Sequence, residues 1–174
     1  MKDLVDRMLR AAKLDSSLYE EVEKDQTAMP QAMVVVVIAS VAGGVGSLGV
    51  GGLSGLFMGL FAALVGWFIW AFLTYFIGTR LLPEPQTKAD LGELLRTIGF
   101  SSSPGVIRVL GFIPFLGRII LFAASIWMLV AMVIAVRQAL DYKSTWRAVG
   151  VCLIGWIVQM LLFGLIFSIV GGSA

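Results

Sequence analysis

Four runs of this chain are long and apolar enough to be read as membrane spans: Ala32 to Val50, Leu53 to Leu82, Phe115 to Val136 and Trp146 to Val170. Each approaches or exceeds the roughly 20 residues that a helix needs to cross hydrocarbon. Lipid offers no hydrogen bonds to the backbone, so a chain of this kind folds as packed helices. Hydrophobic residues make up 59% of its 174 residues, and the mean hydropathy is +0.94. That leaves room for a polar head, residues 1–29, in front of one membrane domain, residues 30–174.

A fifth stretch, Leu91 to Gly117, decides the topology. It carries Arg108 in an apolar run, a Ser101-Ser102-Ser103-Pro104-Gly105 break and a second proline at 114. If it stays on one face, the chain crosses four times and the basic loop of Arg137, Lys143 and Arg147 lies opposite the basic N-terminus. If it crosses, that loop joins Lys2, Arg7, Arg10, Lys13 and Lys24, together with Arg80, Lys88 and Arg96, on one side. Positive residues concentrate in cytoplasmic loops. The expected fold is therefore an all-α integral membrane protein, a five-span bundle with a broken third span and a short amphipathic N-terminal helix. The spans fall at about 31–50, 54–80, 91–113, 115–137 and 146–170, with the N-terminus cytosolic and the C-terminus outside. In a bacterium the compartment would be the inner membrane.

The head is not patterned as a signal peptide, because its acids and bases alternate and no apolar core precedes a cleavage site. Leu4, Val5, Met8, Leu9 and Ala12 recur at helical spacing opposite Lys2, Arg7, Arg10 and Lys13. Such a helix lies on the membrane surface or folds against the bundle. Ser17-Leu18-Tyr19-Glu20 has capping-box spacing and is expected to open a short acidic helix, Leu18 to Lys24. Met29-Pro30 begins the first span, where a proline loses no intrahelical bond. The glycines from Gly43 and Gly44 to Gly52 form a small-residue packing seam or an irregular turn. A phosphate loop is disfavoured, since no Lys-Ser or Lys-Thr follows. Pro83-Glu84-Pro85 stops the second span, and Asp90 is placed to cap the next helix.

Composition excludes several activities. With no histidine, imidazole acid–base catalysis and histidine ligation of haem or zinc are unavailable. Ser101, Ser102 and Ser103 therefore have no histidine base, and their natural use is to cap the helix that starts at Pro104. No catalytic residue, cofactor or metal is expected. A net charge of only +2, spread along the chain, argues against a nucleic-acid partner. Cys152 is alone and cannot form an intrachain disulfide. Gln159, polar within the last span, is expected to bond to a neighbouring helix. Arg108 has two readings. Its stem can snorkel to the interface beyond Pro114. Alternatively, it faces a crevice and meets carbonyls freed by the break, or the phosphate of an anionic lipid.

The order of motifs resembles a compact prokaryotic member of the Yip family, the Ypt/Rab-interacting membrane proteins that share the "Yip-one" domain. The matching pieces are the acidic lead LYEEVEKDQTAMPQAMVVVV, then Trp67, Trp70, Tyr75 and Gly78. After these come Leu94-Leu95-Arg96, Gly99-Phe100, Pro104-Gly105, Pro114, Gly117, Trp127 and Ala135-Val136-Arg137-Gln138-Ala139-Leu140. The resemblance implies a five-helix membrane domain with a cytosolic N-terminus and association with other membrane proteins. The long cytosolic head of Rab-binding relatives is absent, which argues against a Rab-type GTPase partner. The expected function is a non-enzymatic membrane scaffold or accessory subunit. It would contact membrane lipids and protein partners, or a second copy of itself. The sequence-level contact residues are Ser101, Ser102, Ser103, Pro104 and Arg108 for lipid or partner, and Arg96 and Arg137 on the inner face. Gly43, Gly44, Gly78 and Trp127 are expected to pack. The alternative is a small transporter or channel component that uses the broken span.

Overall fold

A computed structural model describes residues 2–46 and 48–171, and the regular secondary structure among them is helical. In chain order the helices are α1 (Lys2–Ala12), α2 (Ser16–Lys24), α3 (Met29–Gly46), α4 (Leu48–Phe76), α5 (Leu91–Ser101), α6 (Gly117–Ala139) and α7 (Thr145–Gly171). A π-turn, Ile77–Leu81, follows α4, and a 3-10 run, Ser103–Phe112, follows α5. Among the described residues, four helices are long and apolar enough to cross a membrane. These cover Gln26–Gly46, Phe57–Leu81, Gly117–Ala139 and Thr145–Leu162.

Local chemistry explains most boundaries. Asp90 caps α5 as expected: its Oδ1 accepts from the Glu93 backbone N–H, and Glu93 Oε2 accepts from the Asp90 N–H, both at 2.8 Å. Two caps differ from expectation. The cap of α2 is Asp15, which accepts from the Ser17 N–H, so the helix opens at Ser16 and the Ser17 capping box does not form. Ser102, in turn, precedes the 3-10 run without any side-chain cap bond. The hydroxyls of Ser101 and Ser103 instead donate backwards to Ile98 O and Phe100 O, both at 2.7 Å. Hydroxyls buried in apolar surroundings take the nearest free carbonyl. The expected glycine-rich connection is also mostly helix. Gly43 and Gly44 belong to α3, and α4 already begins at Leu48, while Ser47 lies outside the described residues. Residues 172–174 of the uncharged tail also lie outside them.

The broken stretch runs beside α3 in the same direction. Gly99 packs on Ala32, Gly105 on Ala39, and Gly46 on the Arg108 carbonyl and Gly111. From Ala32 to Gly46 a helix rises about 21 Å. Against α6 the direction is opposite, since Gly105 meets Met128 and Gly111 meets Leu121. The end marked by Gly46 and Pro114 is called the far end below; the other, where α2 sits, is the head end, and α1 reaches from there along α5 to the 3-10 run.

Two apolar clusters fill the interior. One joins Trp70, Ile77, Leu94, Ile98, Val136, Leu140 and Val151 across α4 to α7. The other seats Leu18, Tyr19 and Val22 of α2 on Ala32, Val35, Phe100 and Ala135. Thus the head folds against the bundle, as one of its two sequence readings allowed, although Val5 and Leu9 of α1 stay more than half exposed. Arg7 binds α1 to its neighbours, donating to Glu21 Oε1 at 3.0 Å, Gln31 Oε1 at 3.0 Å and Asp25 Oδ2 at 2.9 Å.

Candidate functional site at the break

The sequence-selected residues divide between the two ends of α5 and the 3-10 run. At the head end, Arg96 is buried, and its guanidinium donates to the carbonyls of Val22, at 2.9 Å, and Glu23. These are last-turn acceptors of α2, where a cation also opposes the negative end of the helix dipole. Arg96 therefore acts as a tether for α2 within the chain. Arg137 does similar work at the end of α6, donating to Tyr142 O at 3.2 Å and Lys143 O at 3.5 Å.

Around this end lies chemistry that sequence reading did not single out. Glu23 is buried, and its carboxyl is pushed up to about 7 by that burial, then by the charges of Asp141 and Glu93. Tyr142, buried between chain segments, donates its hydroxyl towards Gly78 O at 2.9 Å and Leu82 O at 2.7 Å. Those carbonyls belong to the π-turn and its cap, so the loop after α6 satisfies the irregular exit of α4. Burial pushes the Tyr142 phenol up to about 12. Glu84 accepts from the Lys143 N–H at 3.0 Å, and that bond holds its carboxyl below the usual range. Pro83 and Pro85 were the available signal for an irregular exit. Nothing local to Tyr142 marked its partner sixty residues away.

Towards the far end the break itself is closed. Ser101, Ser103, Pro104 and Gly105 are all buried, and the two outer hydroxyls of the serine run are spent on backbone carbonyls. Arg108 is separated from them. Its guanidinium lies against Gly43 of α3, where an added Cβ would stand 2.9 Å from Cζ. The carbonyl of the same residue meets Gly46. The charged head thus lies three residues of α3 deeper than its own carbonyl. Arg108 is half-buried, and among the described residues it has no hydrogen-bond or ion-pair partner. Arg118, at the start of α6, is exposed and lines a concavity of about 470 Å³ with Gly111, Phe112 and Pro114.

The remaining packing residues find distinct uses. Gly78 is pressed by Leu140, whose side chain an added Cβ would meet at 2.4 Å. Gly44 is half-buried in α3. Trp127 is partly exposed and donates its indole N–H to Ala12 O at 2.8 Å, tying the end of α1 to α6. Trp67 likewise donates to Leu95 O at 3.0 Å. Trp70 is buried with its indole nitrogen unpartnered. No group of ligating side chains able to hold a metal occurs among the described residues.

The profile of the Yip1 domain matches residues 16–166. Neither a curated protein nor a solved structure matches the chain. The matched segment begins at the first residue of α2 and takes in α3 to α6, the buried break and most of α7. With a match over most of its length and helices fit to cross a bilayer, this chain belongs to the Yip1-domain family and is an integral membrane protein.

Proposed function

We propose that the protein is a non-enzymatic membrane scaffold or accessory subunit that crosses five times. Its N-terminus is cytosolic and its C-terminus outside, and in a bacterium it resides in the inner membrane. The scaffold role rests above all on an unfilled face. Gly59 and Gly66 of α4 and Gly164 of α7 have nothing within 4 Å of the space where a side chain would begin. Nearer the head end the same helices are packed, with Gly155 against Trp70 and Ile77. Bare glycines at membrane depth let another helix approach closely. Gln159 lies one turn beyond Gly155 on the packed face of α7, with no hydrogen bond among the described residues, and offers both a donor and an acceptor. The occupant is a partner membrane protein or a second copy.

Five crossings are supported by the parallel run of residues 99–111 along α3 and by the charge distribution. Every acidic residue lies in residues 3–25, 84–93 or at 141. A pore or carrier would line several spans with free polar groups. Here the hydroxyls of Ser40, Thr74, Thr79, Thr97, Ser101, Ser103 and Ser125 are bonded to carbonyls of their own segment.

A photo-crosslinking residue in place of Gly59 or Gly164 tests the scaffold role in native membranes. The expected product is one discrete protein adduct, of a partner or of the chain itself. Adducts with lipid alone would refute the docking face. Ion flux through the purified protein in vesicles would favour the channel alternative.

A further inference from the structure

We propose that Arg108 and Gly43 form a seat for the phosphate of an anionic membrane lipid at the far end of the bundle. The seat rests on the five-crossing arrangement above, and three observations lead to it.

The first is charge. Residues 26–79, 97–140 and 142–174 contain no acidic side chain, and the cations between Thr97 and Pro114 and at the start of α6 are Arg108 and Arg118. Among the described residues no acidic side chain at the far end neutralises these two arginines. The second is depth. The Arg108 guanidinium is held over Gly43, three residues, or about 4.5 Å, short of the end of α3. An arginine at membrane depth is costly unless water, carbonyls or a phosphate meet it. Among the described residues no carbonyl or carboxylate does. The third is construction. Gly46 packs directly on the Arg108 carbonyl, fixing the 3-10 run against α3, and the bare Gly43 leaves the room that the guanidinium occupies. A planar guanidinium can hold two phosphate oxygens at once. Lipid phosphates at the adjoining interface are the anions within its reach. The serines of the break take no part, because their hydroxyls are spent inside the chain.

Gly43 supplies an unusual control. The three atoms nearest to a methyl group there all belong to the flexible end of the Arg108 side chain, so Gly43→Ala is expected to move the charge without removing it. The test is native mass spectrometry of the full-length protein titrated with phosphatidylglycerol. Phosphatidylcholine, uncharged diacylglycerol and inorganic phosphate serve as the other probes. The expected result is one retained phosphatidylglycerol per chain, weakened about tenfold in Arg108→Gln, less in Arg108→Lys, and about threefold in Gly43→Ala. Each variant must elute as a single species with unchanged helicity. Retention unaffected by Arg108→Gln in such a folded variant overturns the seat. So does equal retention of diacylglycerol, or displacement of the lipid by millimolar inorganic phosphate, which would mark a soluble-anion site. In a Cys152→Ser background, single cysteines at Lys88 and Ser144 should label from the same face. Labelling from opposite faces would overturn the crossing, whereas same-face labelling with unchanged lipid would overturn the seat alone.

Discussion

In this bundle, two groups of glycines do opposite things. On the side of α3, the 3-10 run and α6, glycine permits backbone contact. Added Cβ atoms at Gly46 and Gly117 would each stand 2.0 Å from a carbonyl oxygen, of Arg108 and Gly111 respectively. On the side of α4 and α7, Gly59, Gly66 and Gly164 face open space. The first group is consumed by the fold, and the second is left over from it. A glycine count in a membrane protein therefore says little until each glycine is placed.

The largest effect that separates the two groups is expected from valine substitutions. Gly46→Val should cost about 3 kcal/mol or more, because the atom in the way is backbone and cannot swing aside. Thermal unfolding in mild detergent should show a steep fall in the midpoint, or no folded protein. A Gly46→Val protein as stable as the parent would remove the close approach between α3 and the 3-10 run.

Next in size is the tether at the opposite end. Arg96→Met should release the last turn of α2, with a loss of about 2–3 kcal/mol, since charge-assisted bonds to buried carbonyls are given up. Hydrogen exchange at the amides of Leu18 to Lys24 should accelerate while α5 stays protected. Equal acceleration throughout α5 would mean that Arg96 supports the bundle more than the head.

A smaller effect follows from Glu23, whose carboxyl titrates near 7 in the folded chain and in the usual carboxylate range when released. Its folded value is raised, so the docked head binds the extra proton, and stability is lost as pH rises through about 7. Between pH 6 and pH 8 docking of α2 should weaken by about 1 kcal/mol. Proteolysis after Lys24 would report this, and Glu23→Gln should flatten the profile. A profile that strengthens with rising pH would contradict the assigned environment.

The smallest effect concerns the leftover glycines. Gly59→Ala should leave monomer stability unchanged or raise it by up to about 1 kcal/mol, because alanine favours helix and meets no neighbour. Any loss should appear only in association, as weaker crosslinking. A large drop in monomer stability would place Gly59 in a contact within the chain and erase its contrast with Gly46.

The sequence by itself determined what depends on local chemistry. Apolar length placed the long helices, Pro30 and Asp90 set the starts of α3 and α5, and the break near Pro104 marked where α5 gives way to the 3-10 run. The family was also legible, because its signal is the order of such local motifs. Where several neighbouring residues can cap, local order does not choose between them, and Asp15 took the place assigned to Ser17. Tertiary structure alone decided which face of each span packs. A helix that is apolar all round has no periodic stripe to reveal that face. It alone gave Arg96 to the carbonyls of α2 and laid Arg108 over Gly43. Each of these outcomes requires a second helix at a particular height. In a uniformly apolar bundle that height is set by side-chain interlocking between segments distant in sequence.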